Sequence, residues 1–424
     1  MKIRSSQMSL FVLIVLMAVA ITPLCERYYK GMIGSVAMVW FFSYFIYTCR
    51  CLSKDSFIYL LFLTYIFGLK FIGFSTASIG NYIGIMVTVV TMVSYDYIVM
   101  QEKESIKITA IVGMLIIFIN IASSIYSTFK YPEIQDYVTN SQYFIDTYGM
   151  TNVFSTLDAV VLLFAVIVIV IGYQCFGNIR IEKTLMILLC IYVIFFQLKR
   201  TTAILILFFS ILVLLLMSIQ KKLDKKSKQI ISLLICLIAI ILLLSWNSFW
   251  NYIAQFVSDK NIRIRLQSLA EIFSFSMENT NFSGNSLLQR MHMFFLDIQY
   301  WLSGLKTFIF GNGYHRDLYG ATSIDNAIIN KSSGHTSFGD ILAQYGIFGA
   351  VFLIVFFRHV KKLYGWALAG CAEKDKYLKF LSVVILLLSI TNEFFSPEIA
   401  VTILVLFPCY LKEENNRSNE RVHE

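Results

Sequence analysis

The sequence has little charge and almost no proline. Of its 424 residues, 14% are charged, 58% are hydrophobic and only four are prolines. A soluble globular domain needs more polar surface than this, so the composition excludes that class. Repeated apolar runs of membrane-spanning length predict an integral membrane protein instead. The net charge of +9 says little about a substrate, because lysines and arginines also anchor cytoplasmic loops.

Metal and nucleotide motifs are lacking as well. The eight cysteines do not have the spacing of metal ligands, and Cys49 and Cys51 are too close together for a zinc or thioredoxin motif. Gly311 and Gly313 flank an asparagine in a pattern typical of a tight turn, without the third glycine and βαβ context of a dinucleotide site. We expect no metal, no cofactor and no nucleic-acid partner. Only Cys25 lies near the predicted outer face, so external disulfides are not expected.

Twelve apolar runs are long enough to be assigned to the membrane. The first resembles a signal peptide, but no cleavage site of small residues follows it, so we interpret it as a retained helix. The fold class predicted is therefore an all-α polytopic membrane protein with about twelve transmembrane helices. The runs are residues 8–24, 32–48, 56–73, 78–100, 106–127, 152–175, 184–198, 201–219, 229–248, 338–357, 379–394 and 396–411.

Lys199 and Arg200 interrupt the apolar stretch 184–219. As a single helix this stretch would be about 54 Å long, against a hydrocarbon core of about 30 Å. A cation at the centre of the bilayer costs roughly 2.5 to 3.5 kcal/mol even on the lenient insertion scale. We therefore predict a hairpin with these two residues at its tip.

The distribution of lysine and arginine predicts the orientation. Most of them fall in the loops that are internal if the N-terminus is cytoplasmic, so both termini are expected in the cytoplasm. Two outer segments are long, and the second is too large and too varied in composition to be a simple connection. The predicted organisation is residues 1–126 for helices 1 to 5, 127–151 for the first external loop, 152–248 for helices 6 to 9, 249–337 for the large external loop with short interfacial helices, 338–411 for helices 10 to 12, and 412–424 for a cytoplasmic tail.

The large external loop carries the candidate polar residues. SLLQRMHMFFLDIQYWLSG has apolar residues at helical spacing, which predicts a helix along the membrane surface that offers Arg290 to the headgroup zone, although an ordinary solvated arginine fits equally well. Arg263 and Arg265 alternate with isoleucines, so both side chains can point to one side if that stretch is extended. His335 precedes the tenth predicted span. Taken alone, such a histidine is more often a helix cap than a catalyst.

The order of these pieces resembles the O-antigen polymerase (Wzy) and O-antigen ligase superfamily of bacterial envelope glycosyltransferases. The matching pieces are LKRTTAILIL, the arginine of SLLQRMHMFF, FIFGNGYH and GHTSFGDILAQYGIFGA. The resemblance extends over residues 184–357, whereas the first five or six helices match in hydropathy only. The family usually has asparagine or serine after the histidine, where this chain has Thr336 followed by Ser337, so the residues do not separate polymerase from ligase.

The resemblance implies a multi-pass protein of the bacterial cytoplasmic membrane that joins lipid-linked repeat units into O-antigen or capsular polysaccharide. The donor is a glycan on a polyprenyl diphosphate at the outer face, transferred without metal or nucleotide sugar. A ligase, which transfers the glycan to lipid A core, is the alternative. The lipid bilayer and a chain-length regulator membrane protein are further implied partners.

Such a transfer needs cations for the departing diphosphate and a base for the acceptor hydroxyl. Arginine binds phosphate oxygens with two parallel donors and stays charged, which favours Arg200, Arg290 and one of Arg263 or Arg265. Histidine is neutral and available at external pH, which favours His335 as the base. His292 and His315 are weaker alternatives for the base, and the resemblance adds Gly311 and Gly313 to the substrate-binding residues.

Two other classes compete with this interpretation. A flippase for lipid-linked oligosaccharides, or another secondary transporter, also suits twelve helices. Transporters tend to have broken helices and buried ionisable residues, and the predicted spans contain few charged residues, Lys70 and Asp158 among them. A sensor or scaffold is the second rival, and it has no need of arginines and a histidine around a glycine turn.

Overall fold

The structure is a computed structural model, and its described residues are helical throughout the regular elements, without a strand among them. This agrees with the predicted all-α class, while the number of about twelve spans stays a prediction. The described ranges are residues 54–72, 85–89, 91–92, 103–131, 158–177, 181–197, 201–221, 245–258, 286–311, 337–392 and 394–423, with isolated positions at 11, 14, 15, 18, 230, 234, 237, 263, 266, 267 and 270.

Twelve α-helices are described within these ranges, and two of them adjoin a turn of π-helix. They are α1 (Lys54–Phe71), α2 (Lys103–Lys130), α3 (Asp158–Phe176), α4 (Ile181–Tyr192, with a π-turn at Val193–Gln197), α5 (Thr201–Lys221), α6 (Trp246–Phe256), α7 (Ser286–Trp301), α8 (Leu305–Phe310), α9 (Ser337–Ala367), α10 (Lys374–Thr391), α11 (Pro397–Val401, with a π-turn at Thr402–Leu406) and α12 (Phe407–His423).

Three described helices are long and apolar enough to cross a membrane: α2, α3 within Ala159–Phe176, and α9. Two shorter apolar stretches, in α1 and α5, also lie in predicted spans. Helix α3 is enclosed by its neighbours along most of its length, because nearly every side chain from Ala159 to Ile171 is buried. A helix that is apolar on all sides is typical of the centre of a membrane bundle.

Polar contacts gather at one end of the bundle, which we call the charged end and define by Lys183, Glu414 and Lys374. Lys183 at the start of α4 forms a buried ion pair with Glu414 of α12. Near the same end, Gln174 of α3 donates to the carbonyl of Leu214 in α5, and Tyr377 of α10 donates to Gln174.

The beginning of α4 and the later part of α5 therefore lie toward the same end of the bundle. This is the arrangement that the predicted hairpin requires. Its tip, Lys199 and Arg200, lies outside the described residues.

Helix α9 reverses direction at Gly346, where the backbone has φ +58° and ψ −136°. The first segment, 337–345, folds back along the second, 347–367, so that Phe338 contacts Phe357 with ring centroids 6.4 Å apart. Phe357 is eleven residues beyond Gly346, or about 16 Å along a helix axis. The predicted span 338–357 is thus a re-entrant segment followed by a longer helix that ends at Ala367.

The chain turns again between α10 and α11, inside the bundle. Ser396 is extended (φ −96°, ψ 156°), as expected for a residue before proline, and its hydroxyl accepts from the backbone N–H of Ile399. Pro397 occupies the first turn of α11, where its missing N–H is not needed. Phe394 and Phe395 pack against Phe356, so the turn lies near the middle of α9.

The last helix closes the charged end. The predicted tail, 412–424, continues α12 as far as His423, and Glu413, Glu414 and Asn415 in it are buried. A disulfide joins Cys175, at the end of α3, to Cys371, in the turn before α10. The spacing of the cysteines does not predict this pair.

Candidate functional site

Two glycines that stand 35 positions apart in the chain pack backbone against backbone. Gly311 has φ +70°, and a Cβ atom added there would lie 2.3 Å from the carbonyl of Gln344. A Cβ added at Gly346 would lie 2.5 Å from the carbonyl oxygen of Ile309 and 2.6 Å from the nitrogen of Gly311. We call this part of the bundle the glycine end, defined by Gly311 and Gly346. Only glycine combines this φ with such close approach.

Helices α7 and α8 are fixed to each other and to α1 at the glycine end. Trp301, the last residue of α7, donates through Nε1 to the carbonyl of Phe308 at 3.0 Å. The rings of these two residues are also stacked, with their centroids 5.2 Å apart. The hydroxyl of Tyr65 in α1 donates to the carbonyl of Phe310 at 2.6 Å. These bonds satisfy carbonyls at the end of α8, where the helix leaves them without partners.

The start of α9 meets the turn between α10 and α11. The Ser337 hydroxyl accepts from the N–H of Phe394 at 2.5 Å and of Phe395 at 3.2 Å, while its own N–H donates to the carbonyl of Asn392. Ser337, Asn392 and Phe394 are all buried. Three helix termini therefore meet at one polar point inside an apolar bundle, about 14 Å from Gly346 along the re-entrant segment.

The polar face of α7 is turned toward the protein. Asp297 is fully buried, whereas Phe295, on the apolar stripe, is 61% exposed. The helix packs on α9 and α10, and Phe294 contacts Phe338 of the re-entrant segment. Arg290 precedes Asp297 by seven residues, or about two turns, so helix register places both positions on one face.

Asp297 is polar and lies off the apolar stripe of α7, yet it is fully buried. An apolar stripe shows that a face avoids water, and lipid satisfies that condition as well as protein does.

The predicted site residues fall partly within the described residues. Gly311 packs on α9, so its close approach is to protein backbone. Arg263 is exposed and donates through Nε and Nη2 to the carbonyl of Val257, the C-cap of α6, at 3.1 and 3.0 Å. That contact stabilises a helix end, which is a structural role. Arg290 lies in α7, and its backbone alone is described. His292 also lies in α7 with its backbone alone described. The five remaining candidates lie outside the described residues, and they are Arg200, Arg265, Gly313, His315 and His335.

Two buried ionisable residues were missed from the sequence. His359 is 2% exposed in α9, with its ring at the edge of Tyr59, and it lies two residues beyond the predicted span 338–357. Glu398 is 5% exposed in the first turn of α11, where a negative charge is favoured by the helix dipole. The sequence contains a signal for the burial of each residue. His359 has apolar residues four positions on either side, and Glu398 follows Pro397 inside an apolar run.

The groups at the glycine end can bind and orient a polar ligand. The backbone turns at Gly311 and Gly346 lie at this end, while the buried Asp297 of α7 and the helix N-terminus at Ser337 line the same bundle at other levels. Burial raises the pKa of Tyr300 in α7, so its hydroxyl stays a protonated donor at neutral pH. Within the described part of the chain, His, Cys, Asp and Glu do not form a group of three able to hold a metal ion.

Comparison with known proteins adds no assignment. The chain matches no model of a known protein family. Curated proteins include no relative that matches it significantly.

Proposed function

We propose that the protein is a membrane glycosyltransferase that polymerises polyprenyl diphosphate-linked repeat units into O-antigen or capsular polysaccharide at the outer face of the bacterial cytoplasmic membrane. The observation that carries the proposal is the contact between Gly311 and Gly346. These glycines belong to FGNGYH and GHTSFGDILAQYGIFGA, two of the pieces on which the family resemblance depends. Pieces that are loose motifs in the sequence thus adjoin one another in the fold.

The packing of α7 supports the same proposal. The third piece of the resemblance, SLLQRMHMFF, lies in α7, and this helix contacts the re-entrant segment that GHTSFG leads into. Arg290 and the buried Asp297 are about two turns apart in α7, so helix register places the two positions on one face.

The proposed reaction is a single displacement at the anomeric carbon of the donor glycan. The hydroxyl oxygen of the acceptor forms the new bond to this carbon, and its proton passes to the imidazole of His335, which stands two residues before Ser337. The bond from the anomeric carbon to the diphosphate breaks, and its electron pair stays on the diphosphate oxygen. Arg290 and Arg200 stabilise that negative charge, and the helix dipole at Ser337 favours it too.

Replacement of the two central residues tests the assignment. We expect Arg290→Ala and His335→Ala each to abolish long-chain glycan at unchanged protein level, because removal of one well-aimed donor costs about 10² to 10³ in rate. Arg290→Lys keeps the positive charge but loses the two parallel N–H donors of the guanidinium, so we expect it to make only a small part of the wild-type amount of long-chain glycan. Arg263→Ala is the matched arginine control, since Arg263 contacts the Val257 carbonyl. His423→Ala, at the end of α12, is the matched histidine control, and His315→Ala tests the alternative base.

Full retention of polymer in both central variants would overturn the site. Loss in His315→Ala with retention in His335→Ala would move the base to His315. Near-normal activity of Arg290→Lys would reduce Arg290 to a point charge.

A flippase or other transporter is the second candidate, and one observation favours it. Helix α9 reverses inside the bundle at Gly346, and the buried His359 and Glu398 lie on membrane helices; re-entrant helices and buried ionisable residues are typical of transporters. Location of the lipid-linked units separates the classes. Loss of a flippase leaves single repeat units at the inner face of the membrane, whereas loss of a polymerase leaves single repeat units at the cell surface.

A further inference from the structure

Helices α9 and α10 enclose a cleft of about 530 Å³ at the charged end, which we call the basic cleft. Four cationic side chains line it together with one carboxylate and the ring of Trp366. Lys361 and Arg358 are exposed, and Lys374 is half-buried. The full lining is Arg358, Lys361, Lys362, Gly365, Trp366, Ala369, Lys374, Asp375 and Leu378.

The cations of the basic cleft converge on one space. Lys374 of α10 lies against α9 at Gly365, where an added Cβ would be 3.6 Å from its Cε and 3.8 Å from its Nζ. Lys361 is one turn before Gly365 on the same face of α9. Like charges that line one space repel each other, and Asp375 is the single carboxylate in the lining, so the cleft favours an anion.

Apolar side chains continue the face of α9 away from the cations. Val351 is 41% and Ile354 68% exposed, and with Arg358 and Lys361 they follow the three- and four-residue spacing of one helix face. Arg358 is eleven residues after Ile347, the first exposed member of this stripe, which is about 16 Å along the helix. A stripe of this length can carry a large part of an acyl chain.

Helix α10 presents a matching stripe. Lys379 is exposed one turn beyond Asp375, and Val383 and Leu387 are exposed at the following turns. The two helices run in opposite directions from the turn 368–373. Both stripes therefore lead from the basic cleft toward the middle of the bundle.

We propose that the basic cleft binds the phosphate headgroup of an anionic phospholipid, with the acyl chains along the exposed stripes of α9 and α10. The positive-inside distribution alone requires cations in this region, but it does not require them to line a cleft that continues into two apolar stripes. A free phosphate would use the cations and leave the stripes without a function. The site is independent of the proposed glycosyl transfer.

Native mass spectrometry of the detergent-solubilised full chain tests the proposal, with dioleoyl phosphatidylglycerol added as the probe. We expect the Lys361→Gln, Lys374→Gln double variant to bind this lipid about thirtyfold more weakly, from roughly 1 kcal/mol per cation at an anionic surface. The Lys107→Gln, Lys376→Gln double variant is the matched control. It removes the same charge from exposed positions outside the cleft and should bind as the wild type does.

Three outcomes would overturn the proposal. The first is equal loss of lipid in both double variants, which would indicate a general charge effect. The second is equally tight binding of dioleoyl phosphatidylcholine. The third is displacement of the lipid by inorganic phosphate at equal concentration, which would indicate a site for a free anion. Far-UV circular dichroism checks that each variant keeps the helical content of the wild type. If the Lys361→Gln, Lys374→Gln double variant does not fold, the two single variants are measured instead. Each of them must weaken lipid binding severalfold, or the proposal fails.

Discussion

Replacement of Gly346 by alanine should separate the two halves of the glycine end. The backbone at Gly346 has φ +58° and ψ −136°, a region open almost only to glycine, and an alanine there costs about 1 to 3 kcal/mol in strain. The new Cβ would lie 2.5 Å from a backbone oxygen of Ile309. Neither backbone moves without disturbing the contact of α8 with α9, so overpacking adds about 1 to 3 kcal/mol. The expected loss is about 3 kcal/mol or more.

Alanine at three other glycines measures the cost of backbone strain and the cost of the close Cβ contact separately. Gly349→Ala meets the carbonyl oxygen of Ile341 at 2.3 Å without a positive φ, so it tests contact alone. Gly177→Ala has φ +78° and nothing within 4 Å, so it tests strain alone and should cost about 1 to 2 kcal/mol. Gly68→Ala in α1 has neither and should be neutral or more stable by up to about 1 kcal/mol.

The assay is unfolding of the purified full chain in mixed micelles, followed by circular dichroism. The expected order of stability is Gly68→Ala, then Gly177→Ala, then Gly349→Ala and Gly346→Ala. If Gly346→Ala unfolds together with Gly68→Ala, the reversal of α9 and its contact with Gly311 are refuted.

The remaining stability predictions concern three polar contacts between helices, each read out by the same unfolding assay. Ser337→Ala leaves two buried N–H groups without their acceptor and should cost about 2 kcal/mol, while Ser382→Ala, which removes only a bond within its own helix, should cost less than about 1; equal costs would contradict the contact. Lys183→Met leaves the buried Glu414 with only the longer contact to Arg417, at 3.8 Å, and should cost about 2 kcal/mol, a loss that Glu414→Leu added to it should largely restore. Tyr65→Phe should cost about 1 kcal/mol through the lost bond to α8, and no change would mean that water replaces it.

Hydropathy predicts most of the described helices but not the path of the chain inside them. The apolar runs 106–127 and 201–219 correspond to α2 and α5 with shifts of a few residues at the ends. The run 338–357 is also helical, yet it contains the reversal at Gly346. Averaged hydropathy is blind to a single positive φ, because glycine is unremarkable on such a scale and its conformation depends on what packs against it.

The candidate site shows the same division between pattern and packing. Turn chemistry at Gly311 was predicted from FGNG, and its positive φ is confirmed. Its contact with Gly346, 35 positions later, depends on packing that the local sequence does not show. Helical spacing found α7, but it cannot tell lipid from protein as the apolar environment, so the burial of Asp297 was missed. His359 was missed because a predicted span of ordinary length ended two residues too early.

The central claim is that the protein joins lipid-linked repeat units, and the glycan profile of a deletion strain tests it most directly. The account predicts that the ladder of surface polysaccharide collapses to a single repeat and that the wild-type chain restores it while His335→Ala does not. Complete loss of surface attachment with lipid-linked polymer retained would indicate a ligase. A ladder of unchanged length in the deletion strain would contradict the account.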